Sequence, residues 1–169
     1  MPSSATDTAN AAVITRFFDS FAKRDWAGMI ACYHPEVKFR DEIFSINGKR
    51  AMAMWNMLCA NGKDLRVEAS RISAEGDKGQ AHWDAWYTFS ATGRKVKNVI
   101  DARFKFKDGL IISHRDEWSF WRWAAQALGP AGIFLGWMPR MQAAVQSKAN
   151  ANLDAFIAGH PEYLEKAEA

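Results

Sequence analysis

His114, Asp116 and Trp118 occupy alternate positions in a stretch, residues 111–118, whose pattern predicts a β-strand. Alternate residues of a strand point to the same face, with neighbours on the order of 7 Å apart. An imidazole, a carboxylate and an indole therefore face the same way. If they face the interior, the chain has an acid/base pair inside an apolar pocket. If they face the solvent, the pair is an exposed ion pair.

A second carboxylate falls on an apolar strand face. Residues 37–41 alternate so that Asp41 shares the face of Val37 and Phe39. An apolar setting raises the pKa of a carboxyl group, a nearby carboxylate raises it further, and such groups exchange protons near neutral pH. We predict that His114 is the central acid/base, that Asp116 holds it in one tautomer, and that Asp41 is a second acid/base.

The alternative is structural. His114 and Asp116 form a buried pair in the core, or a one-residue β-bulge turns them outward.

Ligand contacts are predicted from the two strands that precede them in sequence. Tyr87 and Asn98 offer polar groups that require partners when buried, and Trp83 shares the face of Tyr87. Trp118 joins them because it shares the face of Asp116.

The opposite face of the same strands has a different character. It carries charged residues and one indole: His82, Asp84, Trp86, Asp101 and Arg103. We interpret this set as a salt-bridged outer face or a dimer interface.

Periodicity predicts the elements that position these residues. Three helices are predicted in the N-terminal half. The first runs over about 8–24 and is capped by Asp7 or Thr8. The second is capped by Asp25, carries Tyr33 and ends near His34, and the third includes 52–59 and ends at Asn61-Gly62. Four strands follow, over 65–73, 80–90, 95–106 and 110–119. Gly-containing turns separate them, which predicts an antiparallel meander.

The remaining residues predict a C-terminal helical extension. A helix over 120–128 is followed by the break Gly129–Gly132, the apolar run 133–138 and a polar helix over about 139–157. We predict one domain, 1–169, with a core of about 8–119 and an extension of about 120–158. The apolar run and the eight Trp and eleven Phe exceed what one small core needs, which predicts a homodimer.

Composition excludes several function classes. The net charge of +3 is scattered without a basic run, so no nucleic-acid partner is expected. There is no apolar run near the ~20 residues that span a bilayer, and the first residues lack secretory features, so we expect no membrane contact and a cytoplasmic location. The chain has no phosphate-binding loop, paired-Cys motif or Rossmann fingerprint, so we expect no cofactor and no metal.

Three segments carry a resemblance to a known superfamily. They are residues 25–37, with a Tyr and a Pro-containing turn before a strand, 46–49, with a Gly before a helix, and 104–111, with a Lys-Asp-Gly hairpin. In their order along the chain they resemble the nuclear-transport-factor-two-like (cystatin-like) superfamily over about 11–119. The resemblance implies an α+β cone, in which a curved antiparallel sheet wraps a long helix around a pocket.

Within that superfamily the chain resembles SnoaL-type polyketide cyclases and ketosteroid isomerases. The resemblance places Asp41 at the proton-transferring Asp of the isomerases, but their oxyanion-binding Tyr falls on Phe17 and their second oxyanion donor on Ala102. We include Phe17 among the predicted ligand contacts. His114 with Asp116 is closer to the His and Asp of the cyclases.

Two functions remain open at this point. The first is a cofactor-independent proton-transfer enzyme, an isomerase, cyclase or dehydratase, acting on a small apolar carbonyl compound. The second is a non-catalytic small-molecule binding or assembly module with the same pocket. Three ionisable groups on apolar faces favour the enzyme, and Phe17 in place of a hydroxyl donor favours the module.

Overall fold

The computed structural model of the protein describes residues 4–164. Its helices are α1 (Ala5–Ala22), α2 (Trp26–Ile30), α3 (Gly48–Asn61), α4 (Phe120–Leu128), α5 (Pro130–Leu135) and α6 (Pro139–Ala158), with a 3₁₀ turn at Pro161–Tyr163. Its strands are β1 (Tyr33–Arg40), β2 (Ser45–Asn47), β3 (Arg66–Glu75), β4 (Lys78–Phe89), β5 (Arg94–Lys107) and β6 (Leu110–Glu117).

The six strands form one curved, unclosed sheet in the order β2-β1-β6-β5-β4-β3. The predicted meander is confirmed, because β3, β4, β5 and β6 pair antiparallel in succession. The pairing of β1 with β6 is parallel. Register shifts interrupt β3, the β1–β6 pair and the β5–β6 pair, and such irregularities bend a sheet. The α+β cone predicted from the sequence is confirmed.

One of these register shifts decides where the predicted acid/base pair points. Ile111 pairs with Phe106 and His114 pairs with Phe104, so three residues of β6 match two of β5. Both Ile111 and His114 are fully buried. The bulge therefore lies before His114, and the alternation from His114 to Asp116 faces the interior.

The ends of the first two helices differ from the prediction. Helix α1 begins after Ser4, whose side chain accepts a hydrogen bond from the Asp7 backbone while the Asp7 carboxylate accepts one from the Ser4 backbone. Asp7 thus belongs to the capping box rather than being the cap itself. Helix α2 ends at Ile30, and Tyr33 lies in β1 opposite Ile111, which gives its aromatic ring a buried position that a surface helix would not.

The C-terminal extension packs on the rest of the fold through contacts of α4 with β5 and of α6 with α3. Helix α4 is as predicted, whereas the predicted break forms a short helix, α5. Gly132 lies so close to α4 that a Cβ there would be 1.8 Å from the Ala124 carbonyl oxygen. Phe134 and Trp137 are each 72% exposed, although we expected this apolar run to be covered. The structure contains one chain, and the homodimer stays a prediction. Within residues 4–164, the helices are all too short or too polar to cross a bilayer.

Candidate active site

A cavity of about 330 Å³ lies between the inner face of the sheet and helix α3. Its wall is mainly apolar and aromatic, with contributions from β1, β4, β5 and β6 and from α3, α4 and α6. A few polar side chains interrupt this wall: Asp41, Asn61, Tyr87, Thr88, Ser90, Asn98, Asp116 and Asn152. The volume and lining are typical of small-molecule sites.

Asp116 is the carboxylate that β6 contributes to the wall. Its side chain is 3% exposed. One carboxylate oxygen, Oδ1, lies 2.9 Å from His114 Nε2 and accepts a hydrogen bond from Trp83 Nε1 at 3.3 Å. An indole nitrogen can only donate. Asp116 is therefore held through one of its two carboxylate oxygens.

His114 lies behind Asp116 and is fully buried. Aromatic rings surround its imidazole. The Trp55 indole stacks on it at an interplanar angle of 20°, and Phe104 has its ring centroid 4.5 Å away. Phe17 and Phe39 meet it edge-on. The second ring nitrogen, Nδ1, lies 2.7 Å from the Tyr33 hydroxyl, so both nitrogens have partners.

The donor and acceptor roles in this chain of groups follow from its ends. Trp55 Nε1 donates to the Tyr33 hydroxyl oxygen at 2.8 Å. The Tyr33 proton is then free to be donated to His114 Nδ1, which makes Nδ1 an acceptor and places the imidazole proton on Nε2. That proton is donated to Asp116 Oδ1. Every group in this chain is satisfied when His114 is neutral and Asp116 is an ionised carboxylate.

Asp41 is the second carboxylate of the wall and directly follows β1. Its Oδ1 accepts hydrogen bonds from the backbone N–H groups of Ile43 and Phe44, at 2.8 and 2.6 Å. Burial raises the pKa of Asp41 to about 6, the two backbone hydrogen bonds oppose that rise, and the negative charge of Asp116 adds to it. The Trp118 indole lowers the same pKa slightly. The two carboxyl groups thus share one cavity, and the charge of Asp116 acts on Asp41.

Tyr87 and Asn98 also line the cavity, on β4 and β5. The Tyr87 hydroxyl accepts a hydrogen bond from Trp123 Nε1 at 2.8 Å. Burial raises the pKa of Tyr87 to about 12, and the nearby Asp41 carboxylate contributes to the rise. The hydroxyl and the Asp41 carboxyl thus line the same cavity.

Most of the predicted site residues meet at this cavity. Six of the eight line its wall: Asp41, Trp83, Tyr87, Asn98, Asp116 and Trp118. The expected positions of His114 and Phe17 are wrong. Both are fully buried behind the wall. Aromatic rings pack around the His114 imidazole, and the Phe17 ring is one of them, together with those of Tyr33, Phe39, Trp55 and Phe104. Whether any of the eight acts on a ligand stays a prediction.

Three residues of this network were not assigned a polar role from the sequence. The sequence pattern predicts a helical position for Tyr33, and it assigns no polar role to Trp55 or Trp123. Their common signal is that a buried Tyr hydroxyl or Trp N–H requires a partner. Trp55 and Tyr33 form hydrogen bonds in the chain of groups that leads to Asp116, and Trp123 donates to the Tyr87 hydroxyl. Within residues 4–164, three or more His, Cys, Asp or Glu side chains nowhere converge to form a metal site.

A family model for the SnoaL-like domain matches residues 14–114, which is more than half of the chain. The chain belongs to the SnoaL-like family. This family lies within the nuclear-transport-factor-two-like superfamily, as the sequence predicted. Its members include cyclases, isomerases and epoxide hydrolases. Comparison with curated protein sequences finds no match.

Solved structures support the same fold. A candidate SnoaL-like polyketide cyclase from Jannaschia sp. CCS1 is 17% identical and has a TM-score of 0.68, covering 77% of this chain and 99% of its own. An epoxide hydrolase of the LEH-like type from M. tuberculosis is 18% identical with a TM-score of 0.59, covering 76% and 94%. A candidate ketosteroid isomerase from Kribbella flavida is 19% identical with a TM-score of 0.53, covering 66% and 78%.

The family match covers only part of this chain. The family match ends at His114, so α4, α5 and α6 all lie outside it. The Jannaschia protein is covered almost completely while nearly a quarter of this chain is not. Trp123 of α4 and Asn152 of α6, which line the cavity, therefore come from a segment beyond the family match.

Proposed function

We propose that this SnoaL-like protein is a cofactor-independent acid–base enzyme that moves a proton at the carbon next to a carbonyl group of a small apolar substrate. Isomerisation, cyclisation and dehydration all begin with such a step. The observation that carries the proposal is the pairing, in one mostly apolar cavity, of two carboxyl groups with different hydrogen-bond environments. Two titratable groups in different environments are typical of an acid and a base.

Asp116 is the proposed base. Its Oδ1 is held by Trp83 and by His114, so its orientation is fixed and Oδ2 remains to take the proton. His114 supports it without touching the substrate, because the imidazole is enclosed by aromatic rings and is itself fixed by Tyr33. This changes the role expected for His114 from central acid/base to positioning residue.

Asp41 is the proposed acid. Its pKa of about 6 means that it gains and loses its proton close to neutral pH. A protonated Asp41 can donate to a substrate oxygen on which negative charge develops as Asp116 removes the proton from carbon. The resemblance to isomerases places Asp41 at their proton-transferring Asp, and the proposal makes Asp41 the acid and Asp116 the base.

The test uses hydrogen exchange, which reports carbon deprotonation whatever the later steps are. The purified protein is incubated in D₂O with a panel of cyclic and aryl ketones, and loss of the proton signal next to the carbonyl is followed by NMR. Asp116→Asn keeps the shape of the side chain and an oxygen that accepts both hydrogen bonds, yet it should slow exchange about 10²–10⁴-fold, the usual contribution of a positioned base. Asp101→Asn, on the outer face, is the matched control and should exchange like the wild type.

The pH dependence distinguishes the two assignments of Asp41. As an acid it must be protonated, so the exchange rate should fall as the pH rises through about 6. A rate that rises through the same range would make Asp41 the base. Ketones that bind without any exchange, in the wild type and across the pH range, would select the binding-module function instead.

A further inference from the structure

Tyr87 is one of the polar groups of the cavity to which the proposed acid and base assign no role. Its hydroxyl oxygen accepts one hydrogen bond, from Trp123 Nε1. Within residues 4–164, Trp123 Nε1 is the hydrogen-bond partner of the Tyr87 hydroxyl. An indole N–H only donates, so it cannot accept a hydrogen bond from Tyr87. The Tyr87 proton must therefore be directed elsewhere.

The direction of that proton is restricted by the phenol itself. The O–H bond of a phenol lies in the plane of the ring, because the oxygen lone pair is conjugated with it, and this leaves two positions for the proton. The Trp123 N–H occupies the space on one side of the oxygen, and two hydrogens repel each other. The proton thus takes the other position, and both Tyr87 and Asp41 line the wall of the same cavity.

The indole that imposes this direction is rigidly held. Phe89 packs against Trp123 edge-on at 5.2 Å, and Phe120 lies 5.6 Å away on the same helix. Helix α4 is joined to β5 by Gln126, which accepts from the Lys97 N–H at 2.8 Å and donates to the Lys97 carbonyl at 3.0 Å. Trp123 is 6% exposed and cannot easily change rotamer.

We propose that Tyr87 donates a hydrogen bond to the carbonyl oxygen of the bound substrate, and that Trp123, from the C-terminal extension, is the positioning residue that aims its hydroxyl. Tyr87 and the protonated Asp41 then form a pair of donors for the oxygen that becomes negative, opposite Asp116 as the base. This inference rests on the proposed function and deepens it by naming the group of the substrate that lies at Tyr87. It also gives the extension a chemical role in the site.

These donors lie at other positions than the resemblance to ketosteroid isomerases implies for the oxyanion donors. There the first donor fell on Phe17, which has no hydroxyl and is buried behind the wall. Tyr87 supplies the hydroxyl from a different element, strand β4, and its partner Trp123 lies beyond the family match. The loss of a donor at Phe17 is then no argument against oxyanion stabilisation.

The test reads the ligand's carbonyl directly and does not require turnover. The probe is acetophenone labelled with ¹³C and ¹⁸O at the carbonyl, whose stretching band moves to lower wavenumber when the oxygen accepts a hydrogen bond. In the wild type the band should lie below its position in hexane. Because Asp41 is the second proposed donor, Tyr87→Phe should return the band part of the way and weaken binding about three- to tenfold, the loss of one neutral hydrogen bond.

Trp123→Phe keeps an aromatic ring but removes the N–H, so the Tyr87 proton regains two positions and the band should broaden or split. Trp121→Phe is the control, because this indole lies on the same helix and donates to the Ile133 carbonyl at 3.2 Å, away from the cavity. It should leave the band unchanged. A general loss of packing would move binding and stability but would not restore the band to its position in hexane.

The outcomes separate this inference from the proposed function. A band that is unchanged in Tyr87→Phe would overturn the inference even if Asp116→Asn abolishes exchange. A Tyr87-dependent band without any exchange would keep the inference and overturn the enzyme proposal. Failure of the wild type to bind acetophenone at millimolar concentration would overturn the carbonyl site at Tyr87 itself.

Discussion

The sheet carries a histidine–aspartate pair on each of its faces, and the two pairs differ in almost everything except residue type. On the inner face, His114 and Asp116 are 0% and 3% exposed and lie 2.9 Å apart. On the outer face, His82 lies 2.8 Å from Asp101 and 3.3 Å from Asp84, and the Asp101 side chain is 72% exposed. The two pairs therefore have similar separations, near 3 Å, although the inner pair is buried and the outer carboxylate is exposed.

The difference shows what converts an ion pair into a site. In the outer pair the exposed Asp101 carboxylate can exchange its partner for water, and Lys97 also approaches the neighbouring Asp84 at 3.6 Å. The inner pair has only its fixed partners, Tyr33 and Trp83, and a cavity on one side. Burial removes the competition from water, so hydrogen-bond direction and charge persist.

The largest expected effect comes from truncating the inner histidine. His114→Ala leaves the Tyr33 hydroxyl and the Asp116 carboxylate without their shared partner and opens a cavity among the aromatic rings. We expect a loss of about 3–5 kcal/mol in the free energy of unfolding, measured by urea denaturation. A loss below about 1 kcal/mol would mean that the inner pair is no more important to the fold than the outer one.

The next effect concerns Asp41, the other inner carboxyl. Its pKa in the folded protein, about 6, lies above the ordinary value of 3.8, so the folded state binds its proton more tightly than the unfolded state. The stability that this proton provides is complete at low pH and is lost as the pH rises from about 4 through about 6. Relative to Asp41→Asn, the wild type should lose about 2–3 kcal/mol over that range.

Asp64 provides a control of opposite sign for that measurement. Hydrogen bonds from Thr88 lower the pKa of this exposed carboxylate. The stability that the Asp64 carboxylate provides is present when the pH is above the ordinary pKa of an aspartate, and it is lost as the pH falls. The wild type should therefore lose stability relative to Asp64→Asn on acidification. Equal slopes for the two variants would contradict the burial of Asp41.

A smaller effect tests the chain of donors behind His114. Tyr33→Phe removes a hydroxyl that lies in two buried hydrogen bonds, with Trp55 and with His114. We expect a loss of about 1–3 kcal/mol, the cost of unpaired buried polar groups. Tyr163→Phe is the matched variant, since that hydroxyl accepts one hydrogen bond, from Asn56, and should cost less. The reverse order in urea denaturation would argue against the assigned hydrogen-bond direction.

The smallest expected effect comes from the outer face. His82→Ala breaks contacts with Asp84 and Asp101 at a surface where water can replace them. The free energy of unfolding should change by less than about 1 kcal/mol, and the change should shrink in high salt. A loss as large as that of His114→Ala would show that the outer face is covered, for which the predicted homodimer is one explanation, checked by light scattering.

The sequence alone determined which residues of a strand share a face. Alternation in residues 37–41 and 111–118 put Asp41 on the apolar face of Val37 and Phe39 and put His114 on the same face as Asp116, because side chains on a strand have a period of two. Turn residues likewise gave the antiparallel order of β3 to β6. These are local properties of the chain, which is why they were predictable.

Only the tertiary structure decided which inward residue touches the cavity and which lies behind it. Parity cannot distinguish His114 from Asp116, since both point inward. The packing of Phe17, Phe39, Trp55 and Phe104 encloses the imidazole and leaves the carboxylate at the wall. Tyr33 and Trp123 reach their partners, His114 and Tyr87, across 81 and 36 residues of sequence. Contacts between such distant residues depend on how the helices pack on the curved sheet, which no local pattern encodes.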